Sequence, residues 1–83
     1  MPFEPIYSER FTRQLLHLSK DKQVAVGKKI TQIRENPEHF DFLRGEERLQ
    51  KARVGNLRIL FIRTGNTILF DSVAKRDVAY RKN

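Results

Sequence analysis

Cationic side chains recur along the C-terminal half of the sequence at spacings that would let them act on one ligand. They are Lys51, Arg53, Arg58, Lys75 and Arg76, and they are followed by an aromatic residue, Tyr80. Such a set can hold a phosphodiester in line, stabilise the extra negative charge of a pentavalent phosphorus and stack a base. If the ligand is RNA, its own 2′-hydroxyl supplies the nucleophile, so cleavage needs neither a metal nor a nucleophilic side chain.

Other familiar catalytic sets are missing from the sequence. It contains no cysteine, and its two histidines, His17 and His39, do not have the spacing of metal ligands. Its serines have no histidine and carboxylate set beside them, and no glycine-rich phosphate loop precedes a helix. We therefore expect no metal and no small-molecule cofactor.

The charge of the chain is distributed unevenly. The net charge is +7, and the sequence pI is about 10.3. Residues 1–43 hold seven Lys/Arg and six Asp/Glu, whereas residues 44–83 hold ten and four. A basic region of this kind suits a polyanion, most often a nucleic acid, because phosphate neutralisation dominates such affinities. An acidic protein partner would suit the same region, and the two are not exclusive.

The length of the chain predicts one domain covering residues 1–83, with a modest core. No apolar run resembles the hydrophobic region of a signal peptide, and none approaches the length of a membrane span. We expect a soluble, cytoplasmic protein with no membrane partner, and the lack of cysteine fits a reducing compartment.

The N-terminal half has the pattern of a strand followed by two helices. Residues 3–7 are short and alternating, as in an edge strand, where Pro5 is tolerated. Ser8 and Asp21 are expected to cap helices that end near Ser19 and Asn36. Gly27 would allow the helices to approach closely. The apolar residues predicted to be buried are Phe11, Leu15, Leu16 and Leu18 on the first helix and Val26, Ile30 and Ile33 on the second. In the following loop, His39, Phe40, Phe42 and Leu43 are expected to hold the loop to the core.

Two Gly-Asn pairs divide the C-terminal half into three strands. Gly55-Asn56 and Gly65-Asn66 each lie between apolar or β-branched runs, the pattern of a two-residue hairpin with a primed turn. The predicted fold class is therefore α+β. It consists of a short N-terminal strand, an αα-hairpin and an antiparallel three-stranded meander packed on the helices.

The two turns also predict the register of the strands. Arg53 would lie opposite Arg58, with Lys51 on the same face, and continuing the register places Val73 opposite Arg58. Lys75 and Arg76 would then return to the same end of the sheet, near Arg53 and Arg58. The face that packs on the helices would carry Ala52, Val54, Leu57, Ile59, Phe61, Ile68, Phe70 and Ala74. Opposed like charges destabilise a hairpin by roughly some tenths of a kcal/mol. A bound anion therefore explains the Arg53–Arg58 pair better than a purely structural surface does.

The other face would continue past the cations as an apolar rim. This rim consists of Leu60, Ile62 and Leu69. An exposed apolar rim beside a cationic cluster is a poor surface to leave open, so it predicts a protein partner.

Three segments follow one another in a recognisable pattern. They are Leu43-Arg44-Gly45, then Lys51-x-Arg53-Val54-Gly55-Asn56-x-Arg58-Ile59, then Lys75-Arg76-x-x-x-Tyr80. This pattern resembles RelE-type toxins of the RelE/ParE toxin–antitoxin superfamily, and the order of elements is similar over essentially the whole chain. The resemblance implies a ribosome-dependent endoribonuclease that cuts mRNA in the decoding site, inhibits translation and is neutralised by a small antitoxin.

The resemblance also implies residue roles. Lys51 would act as general base or charge stabiliser, and Arg58 would stabilise the scissile phosphate. Arg76 would assist the leaving 5′-oxygen, and Tyr80 would orient the substrate or stack on it. Further RNA or phosphate contacts are expected at Arg53, Lys75, Arg81 and Arg44. The expected partners are a cognate antitoxin, mRNA and the ribosome.

Three features depart from the RelE pattern. Leu49 stands where some RelE toxins have a second lysine, and Leu57 stands where an aromatic residue usually precedes the arginine. A C-terminal helix is not expected in the three residues that follow Tyr80. ParE-type members share the fold, inhibit DNA gyrase and need no nuclease site, so gyrase inhibition is an alternative, as is a non-toxic basic nucleic-acid-binding module. Arg58, Arg76 and Tyr80 together favour the nuclease.

Overall fold

Two helices pack on a four-stranded mixed sheet in the computed structural model, which describes residues 2–75. The elements in chain order are β1 (Glu4–Tyr7), α1 (Glu9–Leu16), α2 (Lys20–Glu35), a 3₁₀ turn (Pro37–His39), β2 (Leu49–Val54), β3 (Leu57–Thr64) and β4 (Thr67–Lys75). The strands lie in the order β1-β4-β3-β2, with β1 parallel to β4 and the other pairs antiparallel. The α+β class, the N-terminal edge strand and the three-stranded meander are confirmed.

The helix boundaries follow their serine caps. The Ser8 hydroxyl accepts a hydrogen bond from the Phe11 amide at 2.9 Å, as expected. The first helix nevertheless ends at Leu16, not near Ser19, because Ser19 is the N-cap of α2 and accepts from the Lys22 amide. Asp21 is therefore not the cap. It lies in the first turn, where a negative charge is favourable beside the positive end of the helix dipole.

The second helix buries the face that the sequence predicts. Val26, Ile30 and Ile33 belong to the core. Gly27 is exposed, and a Cβ at this position would meet nothing within 4 Å, so the prediction that it allows close helix contact is wrong. Leu16 is 69% exposed and does not widen the apolar face of α1. Neither helix within residues 2–75 is long and apolar enough to span a bilayer.

The predicted register of both hairpins is confirmed near the turns. Arg53 pairs with Arg58 across the first turn, and Phe61 pairs with Phe70 across the second. Gly55 has φ 60°, whereas Asn56 does not have a positive φ. This combination matches the primed turn in which glycine stands first, so only the glycine of each pair needs the left-handed region.

A β-bulge in β4 changes the register farther from the turn. Leu60 pairs with Ser72 while Phe61 pairs with Phe70, so Asp71 is an extra residue on β4. Arg58 consequently pairs with Ala74, and the prediction that it lies opposite Val73 is wrong. The same shift moves Val73 into the core and Ala74 out of it.

Polar side chains of α1 stabilise the backbone on both sides of this bulge. The Ser8 hydroxyl donates to the carbonyl of Asp71 at 2.7 Å, and the Val73 amide donates to Oε1 of Gln14 at 2.8 Å. A bulge leaves backbone groups without their ladder partners, and a buried unpaired group is costly. The contacts from α1 therefore explain how β4 tolerates an extra residue at this point.

Aromatic rings form a continuous row through the core. Tyr7 stacks on Phe70 at a centroid distance of 5.3 Å, Phe70 contacts Phe61 at 6.1 Å, and Phe61 meets the ring of Phe40 edge-on at 6.0 Å. The row connects β1 with the loop before β2. Phe40 and the buried Leu43 thus hold this loop to the core, as expected. Phe42 is 51% exposed and His39 is exposed as well, so the prediction that these two residues hold the loop is wrong.

We predict that Ser8→Ala lowers the free energy of unfolding by about 1–2 kcal/mol, because it removes both a helix cap and the bond to the bulge. Ser19→Ala is the matched control, since Ser19 caps α2 through a longer bond of 3.4 Å at an exposed site. Its cost should be about 0.5 kcal/mol. Urea denaturation measures both values, and equal losses would show that the bond to Asp71 contributes nothing.

Candidate functional site

Three of the predicted cationic residues line one groove at the β2 edge of the sheet. The cavity has a volume of about 270 Å³. Its lining consists of Lys51, Arg53, Arg58, Ala52, His39, Phe40 and Asp41. Three cations and one carboxylate therefore surround the space, which gives the groove a positive charge and makes it suitable for an anion.

The hairpin of β2 and β3 positions the three cations. Arg53 and Arg58 are direct cross-strand partners, and Lys51 lies two residues before Arg53, so all three side chains share the face away from the core. Their exposure differs: Arg53 is exposed, Lys51 is half-buried and Arg58 is only 4% exposed. Because the effective dielectric constant is lower away from bulk water, an anion that reaches Arg58 would be attracted more strongly than one at the surface.

The remaining predicted residues do not line this groove or are not described. Arg44 is exposed in the loop before β2. Lys75 pairs with Leu57, which is a core residue, so the bulge places Lys75 on the face opposite that of Arg58. Their roles as phosphate contacts stay predictions. Arg76, Tyr80 and Arg81 lie outside the described residues.

A loop segment that sequence reasoning did not assign to the site forms the second wall of the groove. Residues 39–41 run beside β2, and the Lys51 amide donates to the carbonyl of Asp41 at 2.9 Å. The predicted rim is altered as well. Ile62 and Leu69 are half-buried, whereas Leu60 is buried. The prediction that Leu60 belongs to an exposed apolar rim is therefore wrong.

Gln50 fixes this loop to the sheet. It pairs with Phe61 and is itself 3% exposed on the core side of β2. Its Nε2 group donates to the carbonyl of Pro37 at 2.8 Å and to that of Phe40 at 3.0 Å. The sequence signal for this contact is a polar residue at an inward-facing position of an alternating strand, because a buried side-chain amide needs hydrogen-bond partners.

No group of His, Cys, Asp and Glu within residues 2–75 has an arrangement that could hold a metal ion. The residues that line the groove include three cations, one aspartate and one histidine. Arginine and lysine donate hydrogen bonds to phosphate oxygens and stabilise negative charge that develops there.

Solved structures with the same architecture are known. The RelBE2 toxin–antitoxin complex from Mycobacterium tuberculosis contains a chain that matches with a TM-score of 0.82 and 22% identity, covering 92% of this chain and 100% of that chain. The chain adopts the RelE fold. The intact E. coli RelBE toxin–antitoxin complex matches at 0.77 and 22% identity, covering 88% and 95% of the two chains. The isolated E. coli RelE toxin matches at 0.78 and 20% identity, covering 88% and 83%.

The likeness to these structures is therefore one of fold, at a sequence identity of 20–22%. No protein-family model matches the chain, and a search of curated proteins finds no significant match. In this chain the groove lies between β2 and the loop at residues 39–41, and its cations belong to the first hairpin of the meander.

We predict that Gln50→Leu lowers the free energy of unfolding by about 1–3 kcal/mol, because the carbonyls of Pro37 and Phe40 lose the hydrogen bonds from Gln50. Amide hydrogen exchange should also accelerate in residues 40–43. Gln32→Leu is the control, since Gln32 is exposed on α2, and it should change the stability by less than about 0.5 kcal/mol. Unchanged exchange in Gln50→Leu would mean that the loop is held in another way.

Proposed function

We propose that this protein is the toxin of a type II toxin–antitoxin system and that it cleaves messenger RNA on the ribosome. It would be a metal-independent endoribonuclease, an mRNA interferase. The observation that carries the proposal is the groove lined by Lys51, Arg53 and Arg58 on a RelE fold. The solved structures with this fold include isolated toxin and toxin–antitoxin complexes.

The groove suits the phosphodiester of a single RNA strand. Arg53 and Lys51 are accessible at its mouth, and the buried Arg58 lies at its inner side. A phosphate between the two arginines would relieve the repulsion of their cross-strand pairing. A bound phosphate would thus stabilise two like charges that the hairpin places opposite each other, which is the physical argument for an anionic ligand.

Cleavage in this groove would proceed by transesterification. The 2′-oxygen attacks the adjacent phosphorus, the bond to the 5′-oxygen breaks, and the products are a 2′,3′-cyclic phosphate and a 5′-hydroxyl. Arg58 and Lys51 would stabilise the additional charge on the phosphoryl oxygens in the transition state. Arg76 would assist the leaving oxygen and Tyr80 would orient the substrate, as the family resemblance implies.

The partners follow from the same surface. Arg44, Arg53, Lys75 and Arg81 would contact mRNA or ribosomal RNA through phosphates. An antitoxin with acidic residues would neutralise the cations and block RNA binding. Because its targets are translating ribosomes, the protein would act in the cytoplasm.

We predict that Lys51→Ala slows cleavage of ribosome-bound mRNA by about 100-fold, since it removes a donor to the transition-state charge. The assay incubates purified protein with ribosomes programmed with a defined message and maps the cut ends by primer extension. Lys28→Ala serves as the control, because it removes an equal charge from an exposed position of α2. Its cleavage rate should match that of the wild type.

The same experiment separates the alternatives. An intact message together with inhibition of DNA supercoiling by the purified wild type would replace the nuclease with a gyrase inhibitor. An intact message without growth arrest on expression would leave only a basic nucleic-acid-binding module.

RNA affinity should fall steeply as salt rises, because binding releases counterions from the phosphates. For a short single-stranded RNA with a 2′-deoxy substitution at the scissile position, Arg53→Ala should reduce the slope of log K against log salt by about 0.7. Fluorescence anisotropy across a salt series measures the slope. Lys28→Ala should leave it unchanged, and an affinity independent of salt would contradict phosphate binding in the groove.

A further inference from the structure

His39 lies in the same groove as the three cations, although the sequence offers no reason to place it there. It is the last residue of the 3₁₀ turn, and its side chain is exposed. The lining of the groove includes His39 together with Lys51, Arg53 and Arg58. His39 thus borders the space in which the phosphodiester would lie.

The backbone that carries His39 is anchored on both sides. Gln50 bonds to the carbonyls of Pro37 and Phe40, which flank His39 in sequence. The His39 amide donates to the carbonyl of Asn36 at 3.1 Å. The backbone at His39 is therefore fixed, which is what a group that transfers a proton at a defined atom requires.

The proposed reaction needs a group that accepts the proton of the 2′-hydroxyl. Arginine cannot do so, because its guanidinium stays protonated. Histidine is the side chain that ordinarily changes its charge between about pH 5 and pH 8. Among the residues that line the described groove, His39 is thus the natural proton acceptor near neutral pH.

Charged groups approach His39 from two directions. On the groove side they are Lys51, Arg53, Arg58 and Asp41. On the other side, a hollow of about 230 Å³ brings Glu35 of α2 beside His39, and Lys29 of α2 lies over the adjacent Phe40 ring. Both signs of charge are therefore present around the imidazole.

We propose that His39 is the general base of the RNA cleavage reaction, an inference that rests on the proposed function. The imidazole takes the proton from the 2′-hydroxyl as the 2′-oxygen bonds to phosphorus. The phosphorus–5′-oxygen bond breaks, and the 5′-oxygen takes a proton from water. The imidazolium then returns its proton to the resulting hydroxide, and Lys51 is left to stabilise charge.

The test is single-turnover cleavage of mRNA on programmed ribosomes across a pH series from about pH 6 to about pH 8.5. The wild-type rate should fall on the acidic side, because a general base must be unprotonated to act. His39→Gln should be slower by about 100-fold at neutral pH and should lack this acidic limb. Its affinity for the 2′-deoxy RNA and its thermal unfolding should match those of the wild type.

His17→Gln is the matched control, because His17 is the other histidine and lies at the end of α1, outside the groove. It should keep both the wild-type rate and the acidic limb. A His39→Gln protein that retains the rate and the limb overturns the assignment of the base while leaving the nuclease in place. A loss of RNA affinity that accounts for the whole loss of rate overturns it as well. A wild type that leaves the message intact overturns the proposed function itself.

Discussion

The tight turn at Gly55 sets the geometry on which the rest of the site depends. Its positive φ closes β2 onto β3 with a two-residue loop, and the resulting register places Arg53 directly opposite Arg58. A shift by one residue would place the two arginines on opposite faces, so one of them would turn toward the core, where an unpaired cation is strongly unfavourable. Burial of Ile59 and Phe61 on the other face holds this register, so the core and the cationic site are two consequences of one pairing.

A few polar contacts connect that hairpin to the remainder of the chain. Ser8 joins the start of α1 to the bulge in β4, and Gln50 joins β2 to the loop that walls the groove. Both side chains satisfy backbone groups that lack partners in the sheet. Small domains bury little apolar surface, so individual polar contacts of this kind decide where loops and bulges lie.

The features predicted correctly are those with a local signal. The hairpins follow from Gly-Asn pairs between apolar runs, and Val26, Ile30 and Ile33 follow from helical spacing. The bulge at Asp71 has no such signal, because it depends on partners in α1 that are distant in sequence. The start of α2 at Ser19 is not predicted, because Ser19 and Asp21 are both residue types that cap helices.

The site was predicted in part for the same reason. Alternation on β2 and β3 is enough to gather Lys51, Arg53 and Arg58, whereas the position of His39 depends on hydrogen bonds made by Gln50 in the folded chain. The depth of Arg58 also comes from tertiary packing, since period-two alternation alone assigns it to an open face.

The chemistry of the cut ends tests the central claim most directly. Message recovered from ribosomes treated with the protein should carry a 2′,3′-cyclic phosphate on the upstream fragment and a 5′-hydroxyl on the downstream fragment. Those ends arise when the RNA's own 2′-oxygen attacks the adjacent phosphorus and the bond to the 5′-oxygen breaks. Ends with a 3′-hydroxyl and a 5′-phosphate, or an uncut message, would contradict the account.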